Sequence, residues 1–354
     1  MARTSDLSDL CQRLGAELRE PRTEPPLVVS WGEPAAELDA LFGGCGVVLR
    51  HDREPLDLTG EDRARFLHGL VTFDAKSAAP GEGRHGFFTD IQGKILADVA
   101  MLALPDRLRL WLPAGRAEPI EAHLGRYRIA DRVDFERPGD LATLLFAGPG
   151  ATAAVVGLTG ARPPEAAWGH LAAGVGPGSA CILRDGLWPV AAFAVTAAAE
   201  TAAGWIEELS SGLHAPARLC GWRALDTLRV ECGVPLYGRE YAGDAFPQET
   251  GIEGAVSYEK GCYLGQEVVA RIHYRGRVNR VLRGLELGSG PLPEPGAEVS
   301  FEGRSAGALG TVVRSARTGE GIALALLHRR AADPGTQVEV AGAAPARVVE
   351  PPRR

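Results

Sequence analysis

The residues best suited to chemistry lie in one short segment around Cys262. Lys260 precedes the thiol by two positions, and Gly261 and Gly265 lie on either side of it. The thiolate is the reactive form of cysteine, and a nearby positive charge or a helix N-terminus stabilises it. Glycines remove side-chain bulk, so a ligand or partner thiol can approach the sulfur closely. The segment therefore predicts a functional thiol at Cys262, set against the plainer interpretation of a buried packing cysteine.

The residues that follow the thiol predict the element that presents it. Gln266 to Val269 has the pattern of a first helical turn, in which Gln266 and Glu267 supply polar contacts. Nucleophilic catalysis by the thiol needs a base, and no histidine is near in sequence except His273. An ordinary enzyme with Cys262 as its nucleophile or redox centre is thus a further interpretation, which the sequence alone does not support. For the other five cysteines we expect a packing role.

Composition narrows the class of protein. The chain has 354 residues, 45 of them acidic and 38 basic, and a formal net charge of −7. This balance argues against a nucleic-acid partner, which needs a basic surface. Arg271, His273, Arg275 and Arg277 alternate as on one face of a strand, but too few aromatic residues accompany them to stack on bases. We interpret them as a solvated face or as the wall of an anion site.

The cysteines and histidines exclude other classes. Six cysteines include no Cys-x-x-Cys pair, and eight histidines include no pair at helical ligand spacing, so we expect no stably bound metal. The N-terminal sequence lacks the basic region and apolar core of a secretory signal. The longest uncharged stretch is interrupted by a turn at Gly148 to Gly150. We expect no membrane segment and a cytoplasmic location.

The elements that must position these residues predict an α+β protein. Thr59 to Leu70 has the pattern of a helix, and the strands 84–89 and 95–104 are joined by a tight turn at Asp90 to Gly93. Short Gly-rich strands follow residue 291 and predict a small β-barrel. We therefore divide the chain into an N-terminal extension (1–40), a region of two α+β subdomains (41–280) and a C-terminal barrel (281–354).

Four sequence blocks together resemble one family. The blocks Leu58–Thr72, Asp90–Val99 and Leu228–Gly238 precede the cysteine segment in the right order. They resemble the YgfZ family, the folate-binding proteins of iron–sulfur cluster metabolism, which is related to the aminomethyltransferase (T-protein, GcvT) of the glycine cleavage system. The motif that carries this resemblance comprises Lys260, Gly261, Cys262, Tyr263, Leu264, Gly265, Gln266 and Glu267.

The resemblance implies a fold and a set of ligand contacts. It implies a GcvT-like folate-binding cloverleaf with a C-terminal β-barrel, and tetrahydrofolate or a derivative as the ligand. By resemblance, Asp98 faces the folate and Arg229 meets its glutamate tail, a role that suits a bidentate guanidinium. Ala97 replaces the acidic neighbour of Asp98, and the transferase pattern Tyr-Thr-Gly-Glu is missing at Gly186 to Phe193. These departures count against aminomethyl transfer.

Two functions follow from the resemblance. The leading one is an accessory factor that binds tetrahydrofolate and supports assembly or repair of iron–sulfur proteins, with client or scaffold proteins as partners and Cys262 as the key thiol. The alternative is a folate-dependent one-carbon transferase that uses Asp98. Only three lysines occur in the chain, and two of them, Lys94 and Lys260, lie in family blocks. We therefore expect Lys260 to matter and Lys76 not to.

Overall fold

The chain forms two α+β lobes followed by a closed β-barrel. The computed structural model describes residues 4–19, 27–175, 178–213, 217–276 and 278–351. The helices there are α1 (Thr4–Arg13), α2 (Pro34–Gly43), α3 (Arg63–His68), α4 (Ala117–Tyr127), α5 (Ala151–Thr159), α6 (Ala199–Ser210), α7 (Trp222–Glu231) and α8 (Gln266–Arg275). The strands are β1 (Glu17–Leu18), β2 (Val28–Ser30), β3 (Cys45–Leu49), β4 (Arg53–Thr59), β5 (Gly83–Thr89), β6 (Ile95–Ala103), β7 (Leu108–Pro113), β8 (Asp134–Glu136), β9 (Leu141–Ala147), β10 (His170–Val175), β11 (Gly178–Arg184), β12 (Ala192–Ala198), β13 (Ala217–Leu219), β14 (Arg280–Gly288), β15 (Glu298–Phe301), β16 (Arg304–Arg314), β17 (Gly321–His328), β18 (Gln337–Val340) and β19 (Ala346–Val349).

The first lobe is an antiparallel sheet of five strands in the order β5-β6-β7-β4-β8. Helices α3 and α4 cover one face, where Leu67 and Leu124 join a core with Met101 and Leu110. The predicted hairpin is present, because β5 and β6 pair and the amide of Gly93 closes the turn on the carbonyl of Asp90. The predicted helix begins later than expected.

Helix α3 starts at Arg63 rather than at Thr59. Thr59 instead ends β4, where it pairs with Asp134 of β8. Thr59 is thus a strand residue and not an N-cap, because a pairing partner 75 positions away in sequence is invisible to local patterning.

The second lobe is a six-stranded sheet in the order β10-β11-β12-β9-β3-β13, in which only the β13–β3 pair is parallel. Helices α1, α5 and α6 contribute to the core on one face, and α2 and α7 to the core on the other. The assignment of residues 1–40 to a separate extension is wrong. Leu7, Leu10 and Cys11 of α1 are buried in the first of these cores together with Trp205 of α6, so the N-terminal segment is part of this lobe.

The C-terminal module is a closed barrel of six strands in the order β14-β17-β16-β15-β18-β19, completed by pairing of β19 with β14. This confirms the predicted β-barrel. Helix α7 packs against it, because Val230 shares a small apolar cluster with Leu282, Val313 and Leu324. The barrel is thus anchored to the second lobe by the helix that carries Arg229.

The basic residues near the C-terminal end of the cysteine segment do not lie on a strand. Arg271, His273 and Arg275 belong to α8, where residues two positions apart point about 200° apart, so His273 does not share a face with Arg271. The prediction of one basic stripe is therefore wrong, and Arg277 lies outside the described residues. No helix in the described ranges is long and apolar enough to cross a membrane.

Candidate functional site: a thiol segment and a folate-sized pocket

The cysteine segment wraps around the C-terminal end of α3. The amide of Leu264 donates to the carbonyl of Gly69 at 3.1 Å, and the hydroxyl of Thr89 donates to the carbonyl of Leu264 at 2.6 Å. Helix α8 begins directly afterwards at Gln266, as the sequence predicted. The first lobe therefore holds Leu264 through both its amide and its carbonyl, two residues after Cys262.

Cys262 differs from the other five cysteines in its exposure. It is exposed, whereas Cys181 is half-buried and Cys11, Cys45, Cys220 and Cys232 are buried. Burial raises the pKa of Cys45 to about 12 and that of Cys181 to about 11, so these thiols stay protonated and unreactive. Within the described residues Cys262 is the one cysteine that solvent and a partner reach freely.

The sequence predicts Lys260 as a positive charge beside the thiol. In the structure its ammonium is instead turned inward and holds three backbone carbonyls as an interior clamp. Its ammonium donates to the carbonyls of Val71 at 2.7 Å and Phe73 at 2.9 Å, and also to that of His68. The side chain is largely shielded, with 9% of the residue exposed, and burial lowers its pKa to about 8. Three carbonyl acceptors match the three donors of an ammonium group. Lys260 thereby fixes the segment to the turn after α3.

The two glycines of the motif have different roles. Gly265 has a φ of +80°, and a side chain there would overlap the carbonyl oxygen of Asp90. It lets the tip of the β5–β6 hairpin seat against the start of α8. Gly261 has no such strain; a Cβ atom there would lie 3.7 Å from Nε2 of His68. Gly261 therefore leaves the space beside this imidazole open.

The remaining motif residues complete the segment. Tyr263 is buried, its ring centroid lies 4.9 Å from the Lys260 ammonium, and burial raises the pKa of its hydroxyl. The amide of Gln266 donates to the carbonyl of Tyr263, and Glu267 is exposed in the first turn of α8. Tyr263 is thus a packing partner of the clamp, while Glu267 lies on the accessible surface.

A pocket of about 490 Å³ lies beside this segment. Its walls include Phe73, His85, Trp168 and Trp188, with Arg84 and Glu253 as charged residues at the wall. Mostly apolar and aromatic walls with a few polar groups are typical of small-molecule sites of this size. Cys262 is not among the lining residues; Phe73 connects the two regions, because its carbonyl accepts from Lys260.

Trp168 takes a strained conformation at this pocket. Its φ is +64°, which is rare for a bulky side chain, and its ring stacks on His85 with centroids 4.8 Å apart and planes 9° from parallel. Gly186 makes room for the indole, since a Cβ there would lie 2.6 Å from Nε1. Strain of this kind persists where the surrounding structure holds it, often at ligand sites. No local pattern predicts this role for Trp168, because its contact with Gly186 joins residues 18 positions apart.

Asp98 reaches this pocket only through His85. The carboxylate is fully buried; its Oδ2 accepts from Nη2 of Arg53 at 2.6 Å and lies 3.4 Å from Nε2 of His85. Burial alone would raise the pKa of Asp98, but Arg53 and His85 together hold it below its ordinary value. The expectation that Asp98 itself faces a folate does not fit this geometry, because His85 stands between the carboxylate and the pocket.

Arg229 also lies away from the pocket. Only 1% of it is exposed, and its guanidinium bonds Glu240 at 3.0 Å, the carbonyl of Val234 at 2.7 Å and the hydroxyl of Thr311. Asp226 accepts from its Nε at 3.1 Å. The predicted contact with a glutamate tail is therefore corrected: the donors of Arg229 are already used to tie α7 to the barrel. Arg84 is the arginine that the pocket presents.

The groups present fit a reduced folate, and no candidate metal centre accompanies them. The pocket offers aromatic walls for a planar ring, His85 for a hydrogen bond, and Arg84 for a carboxylate. Asp98 Oδ1 and Arg53 Nη1 are buried behind it, with no hydrogen-bond partner in the part of the chain that the structure describes. Across the same residues no group of three or more His, Cys, Asp or Glu side chains is arranged to hold a metal ion.

Comparison with known proteins identifies the two parts of the chain. Residues 33–260 match the GCVT N-terminal domain, and residues 280–353 match the glycine cleavage T-protein C-terminal barrel domain. The aminomethyltransferase T of the Bartonella henselae glycine cleavage system shares the fold, with a TM-score of 0.84 at 18% identity over 97% of this chain and 95% of that one.

Curated relatives carry two names. A "tRNA-modifying protein YgfZ" from Cronobacter sakazakii is 30% identical over 277 residues, covering 76% of this chain and 79% of the relative. An "Aminomethyltransferase" from Herpetosiphon aurantiacus is 31% identical over 288 residues, covering 80% and 78%. Identity alone therefore does not separate the two groups.

Proposed function

Because this chain belongs to the GcvT family as a YgfZ-like member, we propose that it binds tetrahydrofolate or a derivative and supports assembly or repair of iron–sulfur proteins in the cytoplasm, with Cys262 as the working thiol. The observation that carries the proposal is the placement of one exposed thiol on a segment clamped to the wall of a folate-sized pocket. A clamp of this kind can transmit ligand binding to the thiol.

The folate half of the proposal rests on the pocket. Trp168 and Trp188 provide aromatic surfaces for a pterin, and the indole of Trp188 is oriented by a hydrogen bond to Asp185. Arg84 takes the role predicted for Arg229. Its one ion pair among the residues that the structure describes is with the exposed Glu82, and such a surface pair is weak. When bound, the folate would supply a one-carbon carrier beside His85.

The iron–sulfur half rests on the thiol. Clusters ordinarily take four ligands, so a single cysteine contacts iron only together with ligands from a partner protein. An exposed residue meets that requirement and a buried one does not. The name of the YgfZ relatives fits the same role if one of the client proteins is an iron–sulfur enzyme that modifies tRNA.

A folate-dependent one-carbon transferase is the second candidate, favoured by the relatives named aminomethyltransferase. Two features count against it. Asp98 is shielded by His85, and the segment that should carry the pterin-binding glutamate instead contributes Trp188 to the wall. Formation of methylenetetrahydrofolate from an aminomethyl donor, at a rate proportional to the protein, would favour the transferase over the accessory factor.

Titration with tetrahydrofolate followed by thermal unfolding tests the folate half. Wild type should gain stability as the ligand exceeds its Kd, by about 2.7 kcal/mol at a hundredfold excess. Cys262→Ala should show the same gain, because the thiol does not line the pocket, and Trp188→Ala should show less. An unfolding temperature that does not change with tetrahydrofolate would contradict the proposal.

A further inference from the structure

A second cavity, of about 80 Å³, lies apart from the folate-sized pocket, and the two share no lining residue within the part of the chain that the structure describes. It is formed by the residues at the start of β4, the first residue of α7 and the loop that follows α7. This volume holds a few water molecules or one small ligand group, since a single water molecule needs about 15 Å³ of such space. The walls include His51, Asp52, Arg53, Trp222, Tyr237 and Arg239.

Three side chains of this cavity carry buried polar atoms that no described residue engages. Trp222 is only 5% exposed, and its indole Nε1 has no hydrogen-bond partner among the described residues. The same holds for Nη1 of Arg53 and for Nδ1 of His51. Indole and guanidinium groups only donate hydrogen bonds, and Nδ1 of an imidazole donates in one of its neutral tautomers. Because buried donors are nearly always paired, these atoms indicate an acceptor that is supplied by a ligand or by water.

The charges around the cavity favour an anionic acceptor. Arg239 lies exposed at the wall and forms no ion pair with any residue that the structure describes. The carboxylate of Asp52 is already balanced, because each of its oxygens accepts from Arg50. Burial is the main cause of the low pKa of His51, about 4, and the positive charges of Arg50 and Arg239 lower it further against the opposing charge of Asp52. A free positive charge therefore remains at the cavity.

We propose that this cavity binds a small oxyanion, a carboxylate or a phosphate group, with Trp222, Arg53 and Arg239 as its hydrogen-bond donors. Guanidinium groups bind these two oxyanions through charge-assisted hydrogen bonds that are stronger than those to a neutral acceptor. The volume is well below that of a site for a whole folate, so the site is separate from the proposed function. Arg53 also donates to Asp98 through Nη2 at 2.6 Å, which connects the anion site to the carboxylate behind the folate-sized pocket.

Titration of the full chain with inorganic phosphate, and separately with acetate, tests the proposal when it is followed by the indole N–H resonances of ¹⁵N-labelled protein. The chain has six tryptophans, and the resonance missing from Trp222→Phe identifies that of Trp222. We expect this resonance to move and to saturate, at a lower concentration of the anion whose chemistry the site prefers. Sodium chloride at matched ionic strength controls for screening. No movement with either oxyanion, or an equal movement with chloride, would overturn the proposal and leave water as the acceptor.

Arg239→Gln separates anion binding from folding, because the side chain is exposed and its loss should leave thermal unfolding without anion unchanged. The variant should bind the preferred oxyanion about tenfold more weakly, the effect of one lost hydrogen bond between charged groups. Arg271→Gln, at an exposed arginine of α8, is the matched control and should bind like wild type. Calorimetric titration of these variants carries the test if Trp222→Phe does not fold. Equal Kd values for wild type and Arg239→Gln would contradict the site, whatever the outcome for tetrahydrofolate and Cys262.

Discussion

The ammonium nitrogen of Lys260 lies 2.9 Å from the carbonyl oxygen of Phe73, a residue that lines the folate-sized pocket. This contact joins the thiol segment to the ligand site through the backbone rather than through the thiol itself. A ligand that packs against Phe73 therefore contacts the same turn to which Lys260 binds the Cys262 segment.

Replacement of Lys260 should destabilise the protein. Lys260→Met leaves three buried carbonyl oxygens without their donor, and we expect a loss of about 2 kcal/mol in the free energy of unfolding. Lys260→Arg should also lose stability, because a planar guanidinium does not fit a site shaped around an ammonium group. Denaturant unfolding measures both. Lys76→Arg, at an exposed lysine in the neighbouring turn, is the control and should match wild type; equal unfolding curves for all variants would refute the clamp.

The two motif glycines should respond differently to alanine. Gly265→Ala places a Cβ against the carbonyl of Asp90 at a positive φ, and we expect a loss of about 2 kcal/mol or more in unfolding free energy. Gly261→Ala meets only an ordinary contact with His68, so its stability should stay within about 0.5 kcal/mol of wild type. Thermal unfolding compares the pair. A Gly265→Ala variant as stable as Gly261→Ala would show that the hairpin does not seat on this glycine.

The two arginines discussed for the folate tail should separate binding from folding. Arg84→Gln removes a charge at the pocket wall and should raise the Kd for tetrahydropteroyl-triglutamate about tenfold with little change in stability. Arg229→Gln leaves Glu240 buried without its cation and should cost about 3 kcal/mol of stability or more. Isothermal titration and unfolding measure both quantities. If Arg229→Gln folds normally and loses affinity while Arg84→Gln does not, the original sequence-based assignment holds.

Acid should weaken the fold through His51. Burial is the main cause that lowers its pKa to about 4, against about 6.5 for an exposed histidine, and its ring meets Trp222 edge-on at 4.4 Å. Because the unfolded chain takes up this proton first, stability present above pH 6.5 is lost as the pH falls toward 4, on the order of 3 kcal/mol for this group.

His51→Phe removes that titration while it keeps a ring against Trp222. Its loss of unfolding free energy between pH 6.5 and 4 should be smaller than that of wild type by a similar amount. The matched control is His273→Phe, at an exposed histidine, which should follow the wild-type curve. Parallel pH profiles for His51→Phe and wild type would show that His51 does not contribute.

Sequence patterning predicted the features that depend on neighbours along the chain. The Asp90–Gly93 turn, the start of α8 at Gln266 and the C-terminal barrel follow from turn composition, helix-start residues and short Gly-rich strands. These signals are local, and the structure retains them.

What the sequence missed depends on contacts between distant segments. The sequence predicts Leu7 to lie in a polar extension, yet it is buried beside α6. The sequence predicts Lys260 to be a charge beside a thiol, yet its partners are carbonyls about 190 positions earlier in the chain. Arg229 and Asp98 match family positions, but their burial and ion pairs are set by Glu240 and Arg53, which no local pattern links to them.

Activity of iron–sulfur enzymes in a strain that lacks this gene tests the central claim most directly. The strain would carry wild type, Cys262→Ala or Cys181→Ala, the last as a matched control at a half-buried cysteine, with equal amounts of folded protein verified. We predict that wild type and Cys181→Ala restore the activity of those enzymes and that Cys262→Ala does not. Full restoration by Cys262→Ala would contradict the account.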